Sequence, residues 1–338
     1  MKRTMAWVCL LAGLAVSCTQ AAPAPPRWVL VAHLRVGQTP GPVTLGGDWA
    51  FVPDMSDGTV SQIARASGRL VATITVGDPK VLRSMGCAPD SVHAYYSGSW
   101  GWRACDTPYA IAWDGAYLWA LDNGRHQLVR VDPNKHVVDH RVDLPGAGWS
   151  IAVGEGKAWV SGYPEHALYA IDVRTQLLTA VVKDLDLGPA TLAYGAGAVW
   201  VVCAAGSDGI GYLDRIDPAT AKVVGRHPIE WWSEDVAATQ DQLYVRGSFG
   251  GDISRINVAS GALQWTEPGP GFIGRQGIDQ LGPTASGVWM SGPATALIDA
   301  ETGQITDKIP VASSAVAADA GEVWLLEIDG SVGEFKWK

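Results

Sequence analysis

The chain has 338 residues, of which 47% are apolar and 17% are charged, so it can bury a sizeable core. Forty glycines and 20 prolines are typical of a chain that turns often and argue against a mainly helical protein. The formal net charge of -9 argues against a nucleic-acid partner, because such partners are bound through basic surfaces.

The N-terminus has the pattern of an export signal. Basic residues at positions 2 and 3 precede an apolar run, residues 5–16, that is too short for an ordinary transmembrane helix. The run leads into Ser17-Cys18, and small residues before a cysteine resemble a bacterial lipobox, in which Cys18 is lipidated and begins the mature chain. The alternative is ordinary cleavage near Gln20-Ala21-Ala22, and both interpretations export the protein.

These features divide the chain into three parts. Residues 1–17 are predicted to be a signal peptide of lipoprotein type, residues 18–27 a Pro-rich tether, and residues 28–338 the folded domain. Cleavage before Cys18 removes two bases and no acids, so the formal net charge becomes about -11. The expected location is the cell envelope, lipid-anchored in an outer membrane and facing the periplasm or cell surface. Without lipidation the protein is expected to be periplasmic or secreted.

A repeat of roughly 40 residues follows the tether. Ile111–Ala120, Ile151–Val160 and Leu192–Val201 each read as a short apolar strand, a Gly-rich turn and a strand that carries Trp. One aromatic residue anchors each unit, which gives seven units: Trp49, Trp119, Trp159, Trp200, Tyr244, Trp289 and Trp324. Since the aromatic residue recurs once in every unit, these anchors are expected to pack between units rather than to bind a ligand.

The second half of each unit contains a third and a fourth apolar run. Leu128–Pro133 recurs as Leu168–Val173, Leu213–Pro218 and Ile253–Val258, and a turn such as Ala219-Thr220-Ala221 or Ala259-Ser260-Gly261 comes next. A four-stranded unit cannot bury both of its faces alone, so the repeat predicts an all-β, seven-bladed β-propeller with four-stranded blades. The last unit has only three strands, and residues 28–36 have the pattern of the missing fourth strand, which closes the ring.

Residues at about 80–107 interrupt the repeat as an insertion. Cys87 and Cys105 flank this segment and are the expected disulfide pair in an oxidising compartment. Cys203 lies in an apolar run and is interpreted as a buried structural thiol, the alternative being a nucleophile. Three cysteines without a CxxC pair argue only weakly for zinc.

Strand order determines which loops share a face of the ring. Loops between the second and third strands and connections between blades share one face, here called the top face, and the remaining turns share the bottom face. The top-face loops are rich in aromatic and basic residues, and they are the predicted binding residues: Trp100, Trp102, Arg125, His126, Tyr163, His166, Trp231, Trp232, Arg246, Phe249 and Arg275. The alternative is that the insertion folds into a small core of its own, with Trp231 and Trp232 packed beneath it.

The repeat resembles the YVTN, or YncE-like, family of seven-bladed propellers. The resemblance lies in the Gly-rich turn followed by Val/Leu-Trp-Val and in Arg-Val/Ile-Asp-Pro followed by a Thr-Gly-like turn. It covers residues 28–338 with the insertion left out. It implies a binding or scaffold protein of the bacterial envelope. Members of the family have been linked to DNA binding, which the acidic charge of this chain argues against.

Two neighbouring families imply other chemistry. Streptogramin lyase is similar in repeat and blade number and implies a magnesium-dependent elimination by a His and a Glu on one face of the ring, where His126, His166 and Glu165 lie in loops of the right kind. Glu234 and Asp235, together with His126 or His166, are further weak candidates for acid–base catalysis. No motif of that family is matched, so no catalytic role is carried over. The quinone-dehydrogenase propellers share one copy of their motif, Asn257–Trp265, and half of a second, Asp299–Gly303, so quinone binding is not predicted.

The sequence therefore favours a non-enzymatic binding or scaffold propeller, with a metal-assisted lyase or hydrolase as the alternative. No cofactor is expected for a binding protein, and a divalent metal such as magnesium is expected for the lyase. The expected partner is an envelope protein or a small exported ligand. The chain is expected to be a monomer that contacts the membrane only through its lipid.

Overall fold

The computed structural model describes residues 7–8, 19–20, 27–55, 57–77, 108–162, 165–185, 188–203, 210–230, 233, 235–247, 251–271, 280–319 and 321–338. Seven four-stranded antiparallel sheets within these ranges form the blades of a β-propeller, which confirms the predicted fold. The first strands of successive blades lie side by side around the central axis. The fourth strands form the outer rim.

The strands are numbered in chain order. A short pair, β1 (Trp7–Val8) and β2 (Thr19–Gln20), precedes the ring. Blade 1 comprises β4 (Thr44–Gly46), β5 (Trp49–Asp54), β6 (Thr59–Ala64) and β7 (Arg69–Thr75). Blade 2 comprises β8 (Pro108–Trp113), β9 (Leu118–Asp122), β10 (Gln127–Asp132) and β11 (Val137–Asp143). Blade 3 comprises β12 (Ser150–Gly154), β13 (Lys157–Gly162), β14 (Ala167–Asp172) and β15 (Leu177–Val182).

Blade 4 comprises β16 (Pro189–Gly195), β17 (Ala198–Cys203), β18 (Gly211–Asp217) and β19 (Lys222–Ile229). Blade 5 comprises β20 (Asp235–Ala238), β21 (Leu243–Arg246), β22 (Asp252–Ile256) and β23 (Leu263–Pro268). Blade 6 comprises β24 (Leu281–Thr284), β25 (Gly287–Met290), β26 (Thr295–Asp299) and β27 (Ile305–Ile309). Blade 7 comprises β28 (Ser313–Asp319), β29 (Glu322–Glu327), β30 (Ser331–Trp337) and β3 (Trp28–Arg35).

The ring is closed by strands from distant parts of the sequence. β3 pairs antiparallel with β30, from Trp28 opposite Trp337 to Arg35 opposite Ser331. Trp28 also donates its Nε1–H to Asp307 Oδ2 of blade 6 at 2.8 Å. The predicted closing strand, residues 28–36, is therefore confirmed, and the N-terminal strand is an integral part of blade 7.

The core is divided among the interfaces between blades. Seven buried apolar clusters are present in the described residues, and each joins two neighbouring blades around the ring. The second-strand aromatics lie in these clusters, so Trp159 packs against blade 4 and Trp324 against blade 1. The prediction that the anchors pack between blades is confirmed for the six aromatics from Trp119 to Trp324.

The strand register identifies a different anchor in blade 1. In blade 3, Trp159 pairs with the third-strand residue that directly precedes a β-bulge. The residue in this position of blade 1 is Phe51, which pairs with Gln62 immediately before the equivalent bulge. Phe51 is fully buried and stacks on Trp113 at 5.7 Å, whereas Trp49 is half-buried. The assignment of Trp49 as the first anchor is therefore wrong by two residues, because both side chains lie on one face of the same strand.

A β-bulge also recurs at one position of every outer strand. In all seven blades the pairing of the third and fourth strands shifts next to the residue opposite the anchor. In blade 7 the extra residue is Val31 of β3, which makes the closing strand equivalent to the other fourth strands. Bulges bend and twist an exposed edge and so disfavour pairing with the edge of another molecule.

The bottom-face turns between the third and fourth strands satisfy their own polar groups. In blades 2 to 6 one side chain accepts backbone N–H bonds from the residues two and three positions later: Asp132, Asp172, Asp217, Asn257 and Asp299. For Asp217 the donor three positions later is the hydroxyl of Thr220. These side chains hold the turn in place, as expected for Asx motifs. The prediction that the bottom turns are structural is confirmed.

The four aspartates among these turn residues are expected to make the fold sensitive to acid. Hydrogen bonds lower their pKa values, with the largest contributions from the Lys135 ammonium to Asp132, the Thr175 N–H to Asp172, the Thr220 hydroxyl to Asp217 and the Thr302 N–H to Asp299. Each of these carboxylates has a lower pKa in the folded protein than in the unfolded chain. Its contribution to stability is therefore fully present above the unfolded pKa of about 3.8 and is lost as the pH falls through the folded pKa.

We expect the wild-type melting temperature to fall as the pH decreases below about 4. A variant with Asn at all four positions should lose less, because Asn257 already supports the same turn in blade 5 without titrating. Thermal melts between pH 5 and pH 2 measure both profiles. Parallel profiles for the two proteins would contradict this role of the carboxylates.

Candidate functional site

The two faces of the ring differ in the length of their connections. On the bottom face the described turns are short, for example residues 47–48, 155–156 and 173–176. On the top face, residues 76–107 connect β7 to β8, residues 269–280 connect β23 to β24, and residues 204–210 connect β17 to β18. Long connections on a rigid scaffold are where binding residues concentrate, so the top face is the candidate site.

The structure describes five of the predicted site residues: Arg125, His126, His166, Asp235 and Arg246. The other predicted residues lie outside the described residues: Trp100, Trp102, Tyr163, Trp231, Trp232, Glu234, Phe249 and Arg275. The same holds for the predicted disulfide, Cys87 and Cys105, and for the predicted lipidation site, Cys18.

The top loop of blade 2 presents two exposed polar side chains, Arg125 and His126. A single 3-10 turn, Asn123–Arg125, ends at His126, which has a left-handed backbone with φ 52°. The carbonyl of His126 accepts the Leu144 N–H at 2.8 Å, so the loop is tied to the connection that leads to blade 3. The backbone is thus held in place while both side chains face solvent.

The top loop of blade 3 braces the connections on both of its sides. His166, at φ 48°, accepts the Gly188 N–H on its Nδ1 at 3.1 Å, in the connection to blade 4. Glu165 lies so close over Gly146, in the connection from blade 2, that a Cβ on Gly146 would overlap its carboxyl. The Tyr169 hydroxyl is buried beside Gly162, and burial, with the nearby Glu165 charge, raises the pKa of Tyr169 to about 12.

The seam between blades 5 and 6 contains a buried guanidinium. Arg246 is fully buried and donates from Nη1 to the Ser291 hydroxyl at 3.0 Å. Asp235 lies directly opposite Arg246 on the first strand and accepts the Leu281 N–H of blade 6 at 2.8 Å. Each of the two side chains therefore links blade 5 to blade 6 at the top of the ring.

The predicted acid–base candidates are therefore distributed over three blades. His126 lies on blade 2, His166 on blade 3 and Asp235 on blade 5, and the last two use their polar atoms to support backbone N–H groups. Among the residues that the structure describes, no three His, Cys, Asp or Glu side chains gather as a candidate metal site. Nowhere in the described ranges is there a helix long and apolar enough to cross a membrane.

Blade 4 contains an ion pair with a fully buried carboxylate that the repeat pattern did not reveal. Arg226 binds both carboxylate oxygens of Asp214, at 2.7 and 2.9 Å, and Asp214 is fully buried. Cys203 is buried, as predicted, and its thiol lies 3.8 Å from Asp214 Oδ2. The charge of Asp214 is the sequence signal that could have revealed this pair. The corresponding third-strand residue of blade 3 is Tyr169, so a carboxylate at this position departs from the repeat.

Replacing Arg226 with Ala is expected to destabilise the protein by about 3 kcal/mol, because it removes the bidentate partner of a buried carboxylate. The estimate is at the low end of the usual range since the Arg226 side chain is 39% exposed. Arg141→Ala is the matched control. It pairs with the buried Asp122 through one contact of 3.1 Å and should cost less.

Urea denaturation of both variants measures the difference. A combined Arg226→Met and Asp214→Asn variant should recover much of the loss, because it leaves no buried charge. Equal midpoints for Arg226→Ala and the wild type would show that Asp214 does not depend on this pair.

The comparisons with known proteins support the fold alone. No protein-family model matches the chain, and no curated protein matches it. A chain of Hydrazine Synthase from Kuenenia stuttgartiensis is similar in structure, with a TM-score of 0.69 and 14% identity over 88% of this chain and 96% of that one. The Cps50 (Swd1) β-propeller domain of Myceliophteria thermophila has a TM-score of 0.68 and 11% identity over 92% of this chain and 100% of that one. At this identity the likeness establishes the β-propeller and no activity.

Proposed function

We propose that this chain is an exported, lipid-anchored propeller of the YVTN type that acts as a non-enzymatic binding or scaffold protein of the bacterial envelope. It binds its partner through the top face. The observation that carries the proposal is the contrast between the two faces, since the long connections all lie on top. A closed ring of seven blades supplies the rigid support on which such connections are held.

The use of polar groups on the two faces supports the same assignment. On the bottom face the turn carboxylates bond to their own backbone, which leaves them less free to bind a partner. On the top face, Arg125 and His126 are exposed on a loop whose backbone is fixed. Arg and aromatic residues are enriched where proteins bind one another, and the top connections also carry Trp100, Trp102, Trp231 and Trp232.

The test compares matched variants on the two faces. Arg125→Ala with His126→Gly removes two top side chains, and Gly is compatible with the positive φ at position 126. Arg174→Ala with Gln176→Gly makes the same type of change on the bottom face, where Gln176 has φ 61°. Chemical crosslinking in intact envelopes, followed by mass spectrometry, is expected to show a partner whose yield falls at least about fivefold in the top variant only.

A second top-face variant, Trp231→Ala with Trp232→Ala, extends the test to the aromatic connection between blades 4 and 5. It should lower the yield of the same partner. An equal loss in the bottom-face variant, or an unchanged yield in both top-face variants, would contradict the assignment. Thermal melts of all variants establish that each one is folded.

A further inference from the structure

The tether joins the ring at the bottom edge of blade 7. β3 begins at Trp28, and its pairing with Trp337 places the start of this strand at the bottom face. The Lys338 N–H donates to the Arg27 carbonyl at 2.9 Å, so the two ends of the described domain lie side by side. Whatever the tether binds to is therefore held close to this edge.

Trp337 is a fixed and exposed aromatic side chain at the same edge. It is 47% exposed and is the only exposed tryptophan among those that the structure describes in the ring, residues 27–338. Trp28 packs edge-on against its ring at 5.2 Å, and the Arg27 guanidinium lies 5.4 Å from its centroid. Its ring is held in one orientation with an apolar surface toward solvent.

Further apolar and basic groups lie along the outer strands of blades 7 and 1, β3 and β7. Leu30 and Val31 on β3 and Leu70 and Val71 on β7 are each 45% to 47% exposed. The turn that leads into β7 lies against β3, where Gly68 of blade 1 abuts Ala32. Exposed basic residues flank them, namely Arg27, Arg69 and Lys338. On a chain with a formal net charge of -9, this is a local combination of apolar and positive groups.

We propose that this edge, the seam rim (Arg27, Leu30, Val31, Leu70, Val71 and Trp337), rests on the surface of a bilayer that contains anionic lipids. The inference rests on the proposed lipid anchor at Cys18. Residues 18–26 span at most about 30 Å, so an anchored domain is confined near the bilayer with this edge closest to it. Trp is favoured at the membrane interface, and basic residues are attracted to anionic headgroups.

This placement adds a defined orientation to the proposed function. A bottom edge that rests on the bilayer points the top face away from the membrane and toward soluble partners. Because the anchor already holds the domain at the surface, each weak contact of the seam rim acts at high effective concentration. The seam rim then sets the tilt of the propeller, and the lipid anchor supplies the free energy that holds the domain at the membrane.

The test uses lipidated protein purified from membranes and inserted into vesicles of phosphatidylcholine and phosphatidylglycerol. Lipids brominated near the headgroup should quench part of the tryptophan fluorescence of the wild type. In Trp337→Ser the quenched fraction should fall at least about twofold, since the anchor tryptophans are buried inside the ring. Leu263→Ser, at a 63% exposed site on the outer strand of blade 5, is the matched control and should behave as the wild type.

Charge reversal, Arg27→Glu with Lys338→Glu, tests the rim without removing an apolar side chain. It should also lower the quenched fraction, and the effect should be larger at low salt. Mass spectrometry of the N-terminal peptide distinguishes the proposed lipid anchor at Cys18 from the proposed contact of the seam rim with the bilayer. A Cys18 without lipid would overturn the anchor and the rim together. A lipidated Cys18 with equal quenching in the wild type and both rim variants would overturn the rim alone.

Discussion

Deleting residues 28–35 is expected to destabilise the propeller by about 5 kcal/mol or more, which is comparable to the whole stability of many domains. The deletion removes the partner of β30 and leaves that strand as an exposed edge. It also removes Trp28, which packs against Trp289 and binds Asp307 in blade 6. We expect the melting temperature to fall by about 10 °C or more, or the protein to fail to fold.

A circular permutant is the control for this deletion. Joining Lys338 to Arg27 through an Asn-Gly turn makes β30 and β3 a hairpin, and new termini between Gly37 and Gln38 fall at exposed residues. The permutant keeps every strand pair of the seven blades and should retain most of the wild-type stability. A deletion variant that melts with the wild type would show that β3 is dispensable.

Phe51→Ala is expected to cost about 3–5 kcal/mol, which is the usual range for a large aromatic residue in a core. Phe51 is fully buried between blades 1 and 2, in contact with the Trp113 ring. Trp49→Ala serves as the matched control from the same strand and should cost less, because Trp49 is half-buried beside that cluster.

Urea denaturation with fluorescence detection measures the two free energies of unfolding. The order of the two variants is the decisive result. A larger loss for Trp49→Ala than for Phe51→Ala would restore Trp49 as the anchor of blade 1.

The repeat made most of the fold predictable. Each unit repeats the same short turns, apolar runs and aromatic residue, and these features depend on local chemistry. The blade number and the closing strand could therefore be predicted from the sequence. The first anchor was misplaced because Trp49 and Phe51 both satisfy a period-two pattern on one strand. The burial that distinguishes them comes from Trp113 in the next blade, which a local pattern does not contain.

The candidate site was less predictable because its residues lie in segments without periodicity. The sequence placed His166 and Asp235 on the correct face, but not their use in supporting the connections to blades 4 and 6. Those contacts depend on how neighbouring blades meet. The pairing of Asp214 with Arg226 was missed for a similar reason, since both residues lie in strands that otherwise follow the repeat.

The pairing of β3 with β30 also governs how the chain must fold. Trp28 and Trp337 are neighbours in space but lie at opposite ends of the domain, so the pairing of β3 with β30 has the greatest sequence separation of any strand pair in the ring. Contacts of this kind form slowly, because a long loop must close before they contribute any free energy. As the chain emerges with its N-terminus first, six blades can assemble in order while β30 is still missing. Until residue 337 emerges, the nascent protein is an open arc with unpaired strand edges, and chaperones have their longest opportunity to bind it in that interval.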